Sequence, residues 1–325
     1  MEINSNSIFL LGAGFTKAAY PSAPLNKDLL SAIIDSGANT LAKYKKSYHT
    51  DDIERLLTLV DLDAFDSDEI RNDRSLIDAE ISSYFSEYRF SSYSGEIPTW
   101  LTIFGKTILK NDDSIVSLNY DCFLEGALDH FKVWTPNCGY ARVNNRLSSV
   151  SPAAIPTNPK NIKIFKIHGS ENFVEAEVDR GKRSQTAISF FINESIYPVS
   201  GVHSYLGGGA TKRYIIAPSF IKIPHVDINA MMLDLLKVAE AARNLVIIGC
   251  GMRPEDNFLR LLLTCFLNKT MNPRHRLVVL SPSSKSIWER ISKDWVGDIC
   301  RFSDVLIIPR GLEDGISALE SNLKD

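Results

Sequence analysis

The stretch Ser117-Leu-Asn119-Tyr-Asp121 follows the apolar pair Ile115-Val116 and precedes an amphipathic run from Phe123 to Phe131. That order reads as a buried strand ending in a polar tip, with a helix after it. In open α/β sheets, ligands collect in the crevice beyond the carboxyl ends of the strands. An amide and a carboxylate two positions apart on such a tip can face one crevice. They can equally cap the helix that starts near residue 123.

Two other strand ends carry tips of comparable chemistry. Ile8-Phe-Leu-Leu11 leads into Gly12-Ala-Gly14-Phe15-Thr16, the form of a first strand turning into a helix. Backbone N–H groups at such a turn bind phosphate, and glycine lets the phosphate come close. The full dinucleotide fingerprint wants a third glycine where Lys17 stands, which weakens an ordinary dehydrogenase reading and leaves a plain strand-to-helix turn open. Ile162-Lys-Ile-Phe-Lys-Ile167 alternates like a strand and ends at His168-Gly169-Ser170. A lone histidine is more often structural, but one at a strand tip followed by glycine is a candidate, because glycine admits a ligand. The expectation is that the three tips converge on one nucleotide.

The chain has 325 residues, of which 44% are hydrophobic and 23% charged, the composition of an ordinary soluble globule. Its net charge of −3, without a long Lys/Arg run, gives no bias toward direct nucleic-acid binding. No apolar stretch approaches the roughly 20 residues of a membrane span. The N-terminus Met1-Glu-Ile-Asn-Ser lacks a basic region and a cleavage pattern, so a cytoplasmic protein is expected. Cys122, Cys138, Cys250, Cys265 and Cys300 include no C-x-x-C pair, which points to reduced thiols and no structural zinc.

Pro21-Ser-Ala-Pro24 breaks the first helix, and residues 25–110 then carry helical periodicity. Asp51-Asp-Ile-Glu54 resembles a capping box ahead of Ile53, Leu56, Leu57 and Val60. Leu76, Ile77, Ile81, Tyr84, Phe85 and Tyr88 form a second stripe, and Leu101, Phe104 and Ile108 a third after Pro98. Later apolar runs at 214–218, 244–249, 276–280 and 304–309 read as strands, alternating with helices at 227–243, 252–267 and near 287–291. Residues 135–162 read as an ordered excursion or a flexible loop, Gly207-Gly-Gly209 as a mobile loop, and 171–226 as mixed. The fold class expected is therefore α/β, a Rossmann-like parallel sheet with helices on both faces. Residues 1–24 and 111–325 would form that domain, with 25–110 a helical insertion after the first strand.

The motifs Gly12-Ala-Gly14-Phe15-Thr16, Asn119-Tyr-Asp121, His168-Gly169-Ser170 and Gly249-Cys-Gly251 come in the order found in the sirtuin superfamily. More narrowly, the chain resembles the sirtuin-like domains of prokaryotic antiphage defence that consume NAD+, over Ile8 to about Leu319. The resemblance implies that Gly12, Ala13, Gly14, Phe15 and Thr16 line the diphosphate and nicotinamide end of NAD+. It implies that Asn119 holds the nicotinamide ribose or the attacking water, Asp121 contacts the carboxamide, and His168 is the general base. Gly249, Cys250 and Gly251 would approach the adenosine side, joined by Ser281 at the next strand tip. Residues 169–249 contain no cysteine, so the four-cysteine zinc ribbon of the deacylating members is absent. Pro24-Leu-Asn26-Lys27 stands where those members carry an acidic and a basic residue, and Cys250-Gly251 where relatives often have an aromatic residue and serine.

The function this implies is an NAD+ glycohydrolase that uses NAD+ as substrate and no metal. The alternatives are a zinc-free deacylase or ADP-ribosyltransferase, and a non-catalytic nucleotide-sensing module. Asp256 is open between a site residue and an acid stabilised by a helix dipole. An enzyme that drains NAD+ must be held off in healthy cells. The expected partners are a second copy of the chain or a separate sensor, which in relatives is an ATPase, a short Argonaute or another operon product. Its role would be abortive infection, with the insertion one contact surface.

Overall fold

Strands buried on both faces lose the alternation of a half-buried sheet, and Leu245, Val246, Ile247 and Ile248 are buried in unbroken succession. The computed structural model describes residues 6–135, 140–143, 160–179, 184–190, 212–219, 224–254, 256–267, 275–295 and 304–323. Its strands are β1 (Ser7–Leu11), β2 (Ser114–Ser117), β3 (Lys163–Phe165), β4 (Gly169–Asp179), β5 (Ser184–Phe190), β6 (Lys212–Ile215), β7 (Asn244–Ile248), β8 (Arg276–Leu280) and β9 (Asp304–Ile308). Six of them form one sheet in the order β3-β2-β1-β7-β8-β9, with every pairing parallel. That is the Rossmann-like α/β fold, and its strand order reverses between β1 and β7.

The helices are α1 (Ala13–Ala19), α2 (Leu29–Asp35), α3 (Asn39–Tyr48), α4 (Ile53–Asp63), α5 (Asp68–Phe85), α6 (Thr99–Thr102), α7 (Phe123–His130), α8 (Val226–Ala241), α9 (Asn257–Leu267), α10 (Ser284–Arg290) and α11 (Leu312–Leu323). Helices α1, α6 and α11 pack as one group and α8 with α9 as another. A second sheet, absent from the sequence expectation, is antiparallel with the order β5-β4-β6. It occupies part of the stretch that reads as mixed, because β4 opens with Ser170, Glu171 and Asn172, all buried, and so shows no early polar–apolar alternation. Gly207-Gly-Gly209 and most of 135–162 lie outside the described residues.

Helices α2 to α5 bury their own core, in which Leu41, Leu56, Leu57, Val60, Ile77 and Ile81 are fully buried. Arg74 ties α4 to α5 by pairing with Asp61 at 2.6 Å and with Asp78. The cap of α4 is Asp52 rather than Asp51, and it accepts from the Glu54 and Arg55 amides at 2.8 and 3.3 Å. Trp100, Leu101, Phe104, Ile108 and Leu109 belong instead to the core of the main sheet, so the apolar clusters divide nearer Tyr88 than residue 110. The helical cluster in turn takes in Tyr120, Ile215 and Ala217.

The β1–α1 turn and the tip of β7 meet backbone to backbone. The Gly12 amide donates to Ile248 O at 3.1 Å and the Gly14 amide to Gly249 O at 2.9 Å. A β-carbon on Gly14 would lie 2.8 Å from Gly249 Cα, and one on Gly249 would lie 2.7 Å from the Gly14 carbonyl carbon. Gly249 also has φ +57°, in the left-handed region. Gly249→Ala is therefore expected to lower stability by roughly 1–3 kcal/mol through overpacking and backbone strain. Gly251→Ala, where a β-carbon meets nothing within 4 Å, should be near neutral. Urea-unfolding midpoints of the two variants, measured side by side, check this.

Candidate active site

At the switch point, beyond the carboxyl ends of β1, β2 and β7, a cleft of about 820 Å³ opens toward the helical cluster. That is the size of small-molecule and cofactor sites, about 300–1,000 Å³. One wall is built from the β1–α1 turn with Gly12, Ala13 and Thr16, and from the β2 tip from Leu118 to Asp121. His168 and the loop from Gly249 to Arg253 with Asp256 continue it. The helical side contributes Ala23 to Lys27, Asp51 to Glu54, Phe85 and Tyr88. The three sequence tips thus border one cavity.

Thr16 is the hub of the first wall. Its hydroxyl donates to the Asp121 carboxylate, with Oδ2 at 3.0 Å and Oδ1 at 3.2 Å, and accepts from Asn119 Nδ2 at 3.0 Å. Asn119 Nδ2 also donates to Gly12 O at 3.1 Å. With Nδ2 engaged twice, Oδ1 is the atom left to accept from a water or a hydroxyl in the cleft. Asp121 Oδ1 further accepts from the Phe123 amide at 3.1 Å, so this carboxylate does serve as the start of α7 as well as a cleft-lining group.

Beneath it lies a buried ion pair. Lys166 Nζ sits 3.1 Å from Glu125 Oε1, both side chains fully buried, and donates to Asp121 O at 2.6 Å. Burial pushes Lys166 down, but the Glu125 carboxylate, with Cys122 and Asp121, more than reverses this and holds the ammonium above the ordinary lysine value. Burial pushes the Asp121 carboxyl up to about 6 against the pull of Lys166.

His168 stands on the turn between β3 and β4, where the Gly169 amide donates to Lys166 O at 3.0 Å and the Ile216 amide to His168 O at 2.8 Å. Its Nε2 lies 3.3 Å from Asp256 Oδ2. Asp256 Oδ1 accepts from the Leu259 amide at 3.3 Å and so caps α9. Nothing in the local sequence of either residue announces this pairing, since it depends on β3 and β7 ending on the same rim. Glu54 of α4, which also borders the cleft, pairs with Arg253.

Three expected site residues, Phe15, Gly14 and Ser281, lie off the cleft wall. The Phe15 side chain is buried in an aromatic cluster with Trp100 and Phe104, at ring distances of 5.2 and 5.3 Å, and does not line the cleft. Its spacing from Ala19, also buried, is that of a core-facing helical stripe. Gly14 and Gly249 are glycines because their backbones press on each other, and although Gly249 borders the cleft, Gly14 does not. Gly169 admits no ligand: it has φ +74°, and a β-carbon there would lie 2.6 Å from Tyr214 O of β6. Ser281 holds the β8–α10 turn, its amide donating to Ile308 O at 3.2 Å and its hydroxyl accepting from the Ser283 amide at 3.2 Å, and it is not on the cleft wall. Cys250 does border the cleft, with its thiol pushed up to about 12 by burial, and Gly251 faces open space beside it.

The amides of Gly12, Gly14 and Phe15 are spent on backbone carbonyls, so the turn offers a phosphate fewer donors than its sequence implies. Five carboxylates border the cleft, from Asp51, Asp52, Glu54, Asp121 and Asp256, against the cations Lys27 and Arg253. Among the described residues no group of His, Cys, Asp and Glu is arranged to hold a metal, and no helix is long and apolar enough to cross a membrane.

No protein-family model matches the chain, and no curated protein matches it in sequence. Among solved structures it is similar to a Sir2 homologue in complex with NAD, at 12% identity and a TM-score of 0.44, covering 99% of this chain and 91% of that one. A mutant Sir2 homologue in complex with ADP-ribose gives 12% identity, a TM-score of 0.46 and coverage of 99% and 93%. Sir2Tm bound to a propionylated peptide gives 10% identity, a TM-score of 0.40 and coverage of 98% and 92%.

The raised Asp121 carboxyl has a consequence for stability. The folded state holds this proton more tightly than the unfolded chain, whose carboxyl has the ordinary value of 3.8. The resulting stabilisation is complete below about pH 4 and is lost as the pH rises through about 6. Asp113, also buried and pushed up to about 6, acts in the same direction. Asp121→Asn cannot titrate. Its urea midpoint should fall less steeply between about pH 4 and 7 than that of the parent protein, with part of the slope left by Asp113.

Proposed function

We propose that this cleft hydrolyses NAD+ to nicotinamide and ADP-ribose. The observation that carries the reading is that Asn119 and His168, from separate strand tips, border one cleft at the switch point of the sheet. The motif resemblance to sirtuin-like domains points the same way.

The reaction asks little of the protein at the leaving group, because the nicotinamide ring nitrogen is already cationic in NAD+. As the bond between that nitrogen and the ribose anomeric carbon breaks, its electron pair returns to the ring, and oxocarbenium character builds on the sugar, as in glycoside hydrolysis. A water oxygen then bonds to the anomeric carbon. Asn119 Oδ1 accepts from the water or the ribose hydroxyl and orients it, while the His168 imidazole takes the proton the water gives up. The excess of carboxylates at the cleft favours a cationic pyridinium and a cationic sugar. Neither Asn119 nor His168 needs a metal for these roles.

On this reading the enzyme is an antiphage effector held inactive until a partner or self-association releases it. The acidic helical cluster is the surface we assign to that contact.

The test is release of nicotinamide from NAD+ by the purified protein, with and without an acylated peptide, across a range of protein concentrations. Asn119→Ala and His168→Ala should each lower turnover by about 10²–10⁴-fold with the fold retained by circular dichroism. Undiminished cleavage by both folded variants rejects the residue roles. Turnover that requires the peptide shifts the reading to deacylation, and full-speed hydrolysis by an untriggered monomer ends the gating proposal.

A further inference from the structure

His168 is pinned through its backbone on both sides, by Gly169 N to Lys166 O at 3.0 Å and by Ile216 N to His168 O at 2.8 Å. What remains free is the rotation of the ring and the choice of which nitrogen carries the proton. Asp256 meets both. Its Oδ2 lies 3.3 Å from Nε2, a close ion-pair distance, and its Oδ1 is held at 3.3 Å by the Leu259 amide of α9. The two oxygens therefore have separate tasks, one on the helix and one on the imidazole. The carboxylate is itself fixed, because α9 is buried through Leu259, Leu262, Leu263 and Phe266. Both side chains are largely shielded, at 14% and 11% exposed, so the contact is not diluted by bulk water.

We infer that Asp256 is a positioning residue for the reaction, which holds the Nε2–H tautomer of His168 and so directs the lone pair of Nδ1 to the attacking water. The inference rests on the NAD+-hydrolysis reading for its kinetic arm but not for its spectroscopic one. A carboxylate is suited to this because it only accepts: it selects N–H at the facing nitrogen, whereas an amide can face the ring with either its oxygen or its NH₂. Capping alone does not need a carboxylate, since asparagine caps a helix about as well as aspartate. Asp256→Asn consequently separates the two roles.

In Asp256→Asn, kcat should fall at least about tenfold with KM changed less than about threefold, in line with losses seen when an imidazole loses its orienting carboxylate. The urea midpoint should stay that of the parent. In the His168→Ala background the same substitution should cost much less than in the parent, because its main effect passes through the ring. The ¹⁵N shifts of His168, assigned by comparison with His168→Ala and recorded where the ring is neutral, should show Nε2–H in the parent and a move toward Nδ1–H in the variant. An unchanged kcat, a loss in the His168→Ala background as large as in the parent, or an unchanged tautomer overturns the inference. If the parent releases no nicotinamide from NAD+, the hydrolysis reading fails, and the tautomer alone decides whether Asp256 positions His168. Asp256→Ser, which also caps, repeats the comparison should the amide variant not fold.

Discussion

The contact on which the site depends is made by backbone alone. Where β1 turns into α1, the chain passes so close to the tip of β7 that Gly14 and Gly249 leave no room for a β-carbon. Two amide–carbonyl bonds, from Gly12 and Gly14 to Ile248 and Gly249, lock the crossing. This is the place where the strand order reverses, so two loops that would otherwise diverge are held together and the crevice between them acquires a fixed floor. Two polar groups of the cleft wall are referenced to that floor. Asn119 reaches it directly through Gly12 O, and Asp121 reaches it through Thr16.

Polar groups placed this close to a core need support from below, and the buried Lys166–Glu125 pair supplies it. Lys166 comes from the same strand-end segment as His168, and its ammonium donates to the carbonyl of Asp121. The β2 tip and the β3 tip are thus joined under the cleft before either side chain reaches it. An uncompensated ammonium at that depth would cost several kcal/mol, so Glu125 and the Asp121 carbonyl are required as a set. The chemistry of the rim and the stability of the core share these residues.

Much of this architecture is legible in the chain itself. The apolar runs of β1, β2, β7, β8 and β9, most of them followed by helical periodicity, point to a parallel sheet, and the polar tip after β2 marks the rim that borders the cleft. What is hidden follows from contacts between distant segments. Strand β4 is masked by three buried polar residues whose partners come from elsewhere, such as Ser170 donating to Tyr120 O at 3.2 Å. The glycines look like ligand cradles because a close approach of backbone to backbone leaves the same mark as a close approach of backbone to phosphate. Phe15 is drawn into the site by its neighbours in the motif, although its four-residue spacing from Ala19 assigns it to the core. Asp256 looks like an ordinary helix cap, which it is, and only the fold shows that its second oxygen meets His168.

The helical cluster completes the cleft rather than merely decorating the domain. It brings Asp51, Asp52 and Glu54 to the cleft that Asn119 and His168 also border, and Glu54 pairs there with Arg253. The negative charge on that side of the cleft is therefore delivered by one element. On the proposed reading it would stabilise a developing cation, and more strongly where the surrounding dielectric is lower. On the proposed reading, a sheet with the same strand tips and no such cover would bind its ligand in a wetter crevice, with a weaker field on the sugar–pyridinium bond. On that reading the rim residues supply orientation, and the helical cluster supplies the charged surroundings in which it acts.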